Sequence, residues 1–212
     1  MHETLFVLGL GQIFTLLFVM LGPLKIIGPF AKLTHEVDEK QVRRIALFTF
    51  AIGLFAAIVG GLVGRALLAN WEISPPALLL AGGAIFFVVG MRVVLEQYDP
   101  SSHAPPPQLP PSPMAAAMRI TFPSVVTPYG TAALIVLLAN SHSLERTLGI
   151  FGILTGVMLL NLLAMLLARR ILGGMMAMML QILGAVLGVL QVALAVTMIN
   201  RALHDMGVLH AG

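Results

Sequence analysis

The sequence predicts an all-α polytopic membrane protein with six transmembrane helices, arranged as two inverted three-helix repeats. Its 212 residues are 58% hydrophobic and 10% charged, with a mean hydropathy of +0.99, whereas soluble domains carry about 25% charged residues. Six segments are apolar over the roughly 20 residues that a helix needs to cross a bilayer. Helix-breaking Gly and Pro residues also recur at matching places in the two halves of the chain.

The six predicted spans are joined by short loops except at one place. The spans are 5–30, 45–68, 73–95, 120–140, 147–168 and a segment within 171–200. Pro75 and Pro76 open the third span, where a proline in the first turn is tolerated. The N-terminal residues lack a basic stretch and a small-residue cleavage site, so we expect the first span to be retained.

Basic residues predict the orientation of the chain. Eight lie in or beside the loops that follow spans one, three and five: Lys32, Lys40, Arg43, Arg44, Arg92, Arg119, Arg169 and Arg170. Three lie on the opposite side: Arg65, Arg146 and Arg201. Because basic residues are enriched in cytoplasmic loops, both termini are predicted to lie outside the cytoplasm. The scattered charge does not favour nucleic-acid binding.

A proline-rich segment divides the chain into two halves. Seven of the 13 prolines lie in 97–113, and we interpret 97–118 as a cytoplasmic linker between repeats 1–96 and 119–212. An odd number of spans in each half makes the halves run oppositely through the membrane.

Each half begins with a span that contains helix breakers, MLGPLKIIGPF in the first and FPSVVTPYG in the second. Interrupted helices at corresponding positions of inverted repeats indicate a transporter's central site. The alternative is two ordinary proline kinks, which membrane helices tolerate. On the first interpretation the breaks face each other near mid-membrane across a small polar cavity. The candidate substrate-binding residues are Gly22, Pro23, Lys25, Gly28, Pro29, Pro123, Thr127, Pro128, Tyr129, Gly130 and Thr131.

The first of these segments resembles the opening of the MarC family of bacterial inner-membrane proteins, whose relatives include LysE-type amino-acid exporters. Family members typically carry Asn-Pro-x-Gly, then Pro-x-Phe and Leu-Thr. Pro23, Phe30 and the pair Leu33-Thr34 match this pattern, whereas Gly22, Lys25 and Gly28 stand where asparagine, glycine and proline are usual.

Later segments carry the same resemblance. The third span, with Ala81-Gly82-Gly83, is similar to the family's third helix, and Pro123 and Pro128 keep the family's proline spacing. Thr127-Pro128-Tyr129 replaces the usual Gly-Pro-Gly, and LGAVLGVLQVALAVTMI resembles the last helix. The resemblance implies an inner-membrane, carrier-like protein and only weakly implies a substrate.

Two candidate site features have alternative interpretations. Lys25 is either a counter-charge for a carboxylate or phosphate or a side chain that extends to the interface. Thr127 and Thr131 either bind a small zwitterion or bond to their own helix beside the kink. Asn161, Gln181, Gln191 and Asn200 are expected to join helices by hydrogen bonds.

The remaining residues predict little other chemistry. All nine acidic residues lie in loops or at span ends, which disfavours carboxylate-mediated proton coupling. Sodium, bound by backbone carbonyls, stays a candidate coupling ion. Cysteine is absent, the histidines lack metal-ligand spacing, and no catalytic motif is present, so we expect neither an enzyme nor a bound cofactor or metal.

The sequence therefore favours transport of a small solute, and the resemblance to the MarC family, some of whose relatives are similar to carriers of small neutral amino acids, implies that substrate class. Translocation of a lipid or lipid-linked phosphate, and a non-transporting scaffold that binds a partner through its linker, are the alternatives. Small-residue packing leaves self-association into a homo-oligomer open.

Overall fold

The structure, a computed structural model, describes residues 9–95, 110, 112–139, 141, 143–171 and 175–209. In these ranges the chain is helical apart from short turns, and it contains no strand. The elements are α1 (Leu10–Leu21), α2 (Leu24–Thr34), α3 (Glu39–Asn70), α4 (Pro75–Leu95), α5 (Pro113–Ile120), a π-helical turn (Thr121–Val125), α6 (Pro128–Ala139), α7 (Leu144–Ile171) and α8 (Met175–Asp205).

Polar side chains fix where most of these helices begin. Asp38, Ser74, Ser112, Thr127 and Ser143 each accept a hydrogen bond from a backbone N–H in the first turn of the helix that follows. Such caps pair N–H groups that have no partner inside the helix.

Helix α2 begins differently. Pro23 precedes it, and no side chain caps its first turn. This helix N-terminus lies immediately after the interruption of the first span.

The helices agree with an all-α membrane protein. Three of the described segments are long and apolar enough to cross a bilayer: Ile13–Thr34, Glu39–Asn70 and Leu144–Arg170. Shorter apolar helical stretches cover Pro75–Val88 and Pro128–Ala139. Large apolar side chains also lie on the outer surface, including Phe55, which is 70% exposed. An apolar exterior of this kind is stable where lipid replaces water, so the helices contact the bilayer.

Several helices are longer than the apolar spans predicted from the sequence. Helices α3 and α7 begin several residues before spans two and five because Asp38 and Ser143 cap polar first turns. Helix α5 begins at Pro113, inside the range interpreted as linker, because Ser112 is a good N-cap and proline is favoured at the first helical position. The rest of that range lies outside the described residues, apart from residues 110 and 112.

The breaks are positioned by two long helices that pack on the broken spans. Helices α1 and α2 pack mainly on α7, α5 and the π-helical turn pack on α3, and α6 packs on both α3 and α4. Helix α4 forms its largest interface with α8.

Glycines on one face of α3 allow this helix to approach the second broken span closely. A Cβ atom at Gly53 would lie 3.1 Å from Val125 Cγ1, and one at Gly60 would lie 3.5 Å from Thr131 Cγ2. At Gly61 it would lie 2.9 Å from Leu138 Cδ1. Small residues let two helices approach closely. Close approach stabilises membrane helices because they associate through van der Waals packing and not through exclusion of water.

Gly61→Val is therefore expected to destabilise the protein by about 1–3 kcal/mol, since its methyl groups would overlap two leucine side chains. Gly152→Val in α7 is the matched control, because a Cβ there meets no atom within 4 Å. Thermal unfolding in detergent measures the difference. Equal losses of stability for the two variants would contradict the close packing of α3 on α6.

Candidate functional site

The first break lies at Gly22 and Pro23, between α1 and α2. Proline has no N–H, so Pro23 cannot donate to the Val19 carbonyl one turn earlier. A Cβ atom on residue 22 would lie 1.8 Å from the carbonyl oxygen of Phe18, which is far inside van der Waals contact. This backbone conformation therefore requires glycine at position 22.

A side chain from the other half of the chain pairs a carbonyl at this break. Asn161 of α7 is buried, and its Nδ2 donates to the Leu21 carbonyl oxygen at 2.6 Å. Asn161 was expected to join helices, and it does join α7 to α1. Its specific acceptor could not be predicted, because that depends on which helix packs at its depth.

The second break lies between the π-helical turn and α6. Phe122 has non-helical dihedral angles (φ −111°, ψ 118°), and Val126 is extended (φ −95°, ψ 97°). Thr127 then caps α6, because its Oγ1 accepts from the Gly130 N–H at 3.2 Å. The chain is therefore kinked at Phe122 as well as interrupted at Val126.

The two threonines of this break do different things. Thr127 is buried and caps the helix through its hydroxyl oxygen. Thr131 is half-buried, and its hydroxyl donates to the Thr127 carbonyl at 3.0 Å, which is a bond within its own helix. Thr127 thus pairs an N–H of the first turn of α6 that has no partner inside the helix, whereas Thr131 adds a second bond to a carbonyl that already accepts from the Thr131 N–H at 2.9 Å.

The two breaks are in direct contact. A Cβ atom on Gly130 would lie 2.4 Å from Leu21 Cδ2, so the Leu21 side chain occupies the space that the glycine leaves. At this point the breaks pack on each other, and no cavity separates Leu21 from Gly130. Tyr129, the residue before Gly130, is buried with its ring centroid 4.6 Å from that of Phe86 in α4.

A shallow groove runs along the outer side of the second break. It has a volume of about 340 Å³ and is lined by Leu78, Phe122, Val126, Pro128, Thr131, Ala132 and Ile135. Its surface is almost entirely apolar, with Thr131 as the polar side chain among these residues.

Gly28 and Pro29, two further predicted site residues, lie inside α2 and not at the first break. The second Gly-Pro pair does not interrupt the first span: Pro29 lies inside α2 with its side chain exposed, and Gly28 is half-buried. A helix accommodates such a proline with the loss of one hydrogen-bond donor. Lys25 lies in the first turn of α2 and Pro123 in the π-helical turn, but their side chains lie outside the described residues.

These features define an integral membrane protein in which two interrupted apolar helices meet at a buried contact. Over residues 8–206 the chain matches the family model described as MarC family integral membrane protein. The chain belongs to this family, as the resemblance of its first, third and fourth spans predicted. Neither curated proteins nor solved structures gave a match.

Gly22→Ala tests the geometry of the first break. We expect a loss of about 3 kcal/mol or more, because the added methyl group meets a backbone carbonyl that cannot move without rebuilding the break. Gly28→Ala in the same span is the control. It has open space and should change stability by no more than about 1 kcal/mol, in the stabilising direction. Unfolding in detergent measures the stability of both variants. Equal stability of Gly22→Ala and Gly28→Ala would contradict the geometry of the break.

Asn161→Ala tests the pairing of the Leu21 carbonyl. Removing the amide leaves that carbonyl buried and unpaired, which costs about 1–3 kcal/mol. Thr155→Val in the same helix is the control, since the Thr155 hydroxyl bonds only to the Phe151 carbonyl of its own helix at 2.8 Å. The contact is contradicted if thermal unfolding gives the two variants the same stability.

Proposed function

We propose that this protein transports small solutes across the membrane by alternating access, with small neutral amino acids as the substrate class. The observation that carries the proposal is the direct contact of two interrupted helices, Leu21 against Gly130. Interrupted helices release backbone N–H and carbonyl groups at membrane depth, where lipid offers no partner and where a solute can replace the side chains that pair them in this structure. Such groups can bind a solute without any charged side chain.

The packing of the helices supports an inverted repeat. The first broken span packs on α7 of the second half, and the second broken span packs on α3 of the first half. Helices α3 and α7 contact each other, as do α4 and α8. A two-fold relation that exchanges the halves accounts for these pairings, whereas the interface of α4 with α6 is much larger than its counterpart between α8 and the first broken span. We therefore propose six spans in two inverted repeats, in a bacterial inner membrane, with both termini on the periplasmic side.

The chemistry of the breaks supports a neutral zwitterion as substrate. Among the side chains that the structure describes at the breaks, none is acidic or basic; the side chain of Lys25 is outside that set. The N-terminus of α2 has no side-chain cap and carries the positive end of the helix dipole, which suits a carboxylate. Backbone carbonyls suit an ammonium group or a sodium ion, our candidate for the coupling ion. The proposal includes no catalytic step and no cofactor.

The groove beside the second break favours a second candidate, translocation of a lipid. Its apolar lining from Leu78 to Ile135 suits an acyl chain, and Thr131 provides a hydroxyl next to the break. A lipid carrier needs this lateral opening, whereas a carrier of amino acids needs an enclosed site that forms when the packed breaks separate. Both candidates use the second break, so a single set of variants can separate them.

Counterflow in proteoliposomes, with a panel of labelled small amino acids, tests the transport proposal. Thr127→Val should lower the rate at least about tenfold, because the capping oxygen at the break is lost. Thr197→Val is the control: Thr197 is exposed on α8 and bonds only to the Ala193 carbonyl at 2.9 Å.

A fluorescent phospholipid in the same liposomes tests the second candidate. Lipid movement between leaflets without amino-acid counterflow would replace the first proposal by the second. If neither solute nor lipid moves above the rate of empty liposomes, both proposals are wrong.

A further inference from the structure

Two arginines bind the ends of the broken spans in the same way. Arg169, near the end of α7, donates through its guanidinium to the backbone carbonyls of Thr34 and Val37, at and just beyond the end of α2. Arg65, near the end of α3, donates to the Ser141 carbonyl just beyond the end of α6, at 3.3 Å. Each arginine therefore joins the carbonyl end of one broken span to a long helix of the other half.

The positions of the two contacts follow the repeat. Arg169 follows Arg65 by 104 positions, and Pro128 follows Pro23 by 105. In the proposed topology α2 and α7 run through the membrane in one direction, and α3 and α6 run in the other. Helices α2 and α7 therefore end at one face of the membrane, and α3 and α6 end at the opposite face. The Arg169 contact thus lies at one face of the membrane and the Arg65 contact at the other.

This arrangement also explains an exception in the distribution of charge. Arg65 is one of three basic residues predicted on the side opposite to the other eight. A guanidinium at the carbonyl end of a helix is stabilised by the helix dipole and by charge-assisted hydrogen bonds. Both arginines are half-buried, so water competes only partly for these bonds. The charge of Arg65 has a structural reason to lie on that face.

We propose that the Arg65 and Arg169 contacts are the two gates of the protein. Each holds one broken span against the opposite half at one face, and release of one contact while the other persists lets the packed breaks separate toward that face. This inference rests on the alternating-access function proposed above. It adds to that function the two arginines that control access to the breaks, each at one face of the membrane.

The experiment uses single cysteines as reporters, since the natural chain has none. Gly28→Cys lies in α2 between the first break and the Arg169 contact, and Ala139→Cys lies at the end of α6 beside the Arg65 contact. Both positions are half-buried. Modification by a membrane-impermeant thiol reagent is measured in intact cells and in inside-out vesicles.

Arg169→Ala should raise the modification rate at position 28 by about tenfold, the scale expected from losing hydrogen bonds to a charged group, without raising the rate at position 139. Arg65→Ala should raise the modification rate at position 139 without raising the rate at position 28, with the reagent on the opposite face of the membrane. Arg170→Ala, at the exposed neighbour of Arg169, should leave both rates unchanged. Arg169→Lys should have an intermediate effect, because an ammonium keeps the charge but has a shorter reach and a different donor geometry from the Nη2 group that bonds both carbonyls.

The gates are refuted if each alanine variant changes both reporters equally or changes neither. If an alanine variant does not accumulate, Arg→Lys and Arg→Gln at the same position decide the matter by the order of their effects on the nearer reporter. The assay needs no substrate. Reporters that respond as expected without measurable counterflow would leave the gates standing while the transport proposal fails. Counterflow with unresponsive reporters would remove only the gates.

Discussion

The structure depends on one constraint: lipid cannot hydrogen-bond a backbone group that a helix break releases, so the protein must supply the partner itself. At the first break that partner is the Asn161 amide on the Leu21 carbonyl. At the second it is the Thr127 hydroxyl, which caps α6. At the ends of the broken spans the guanidinium groups of Arg169 and Arg65 bind the carbonyls. Breaks are tolerated here because each has such partners.

The long helices α3 and α7 provide most of this pairing and also determine how close the spans can approach. Helix α3 presents glycines to the second broken span, whereas α7 presents Asn161 and Arg169 to the first. The two halves therefore solve the same problem differently. The second break is paired by a residue of its own span, while the first depends on a helix from the other half. This difference makes the first break the more sensitive to relative movement of the halves.

Much of this fold could be predicted because long apolar runs and helix breakers are local signals. The runs indicated α3, α4 and α7 closely, and Gly22-Pro23 and Thr127-Pro128 indicated the two breaks. The second Gly-Pro pair was a weaker signal, since Pro29 removes only one donor from a helix that continues around it. The acceptors of Asn161 and Arg65 could not be predicted, because a side chain's partner across 140 or 76 residues is determined by packing. The start of α5 could have been found from Ser112-Pro113, a usual N-terminal helix signal.

The partners of the first span have a consequence for biogenesis. This span is synthesised before the groups that pair its carbonyls, since Asn161 and Arg169 come 140 and 135 residues later. Until the fifth span is inserted, the Leu21 and Thr34 carbonyls cannot find their native donors. The nascent first half is thus an incomplete unit that must wait for the second.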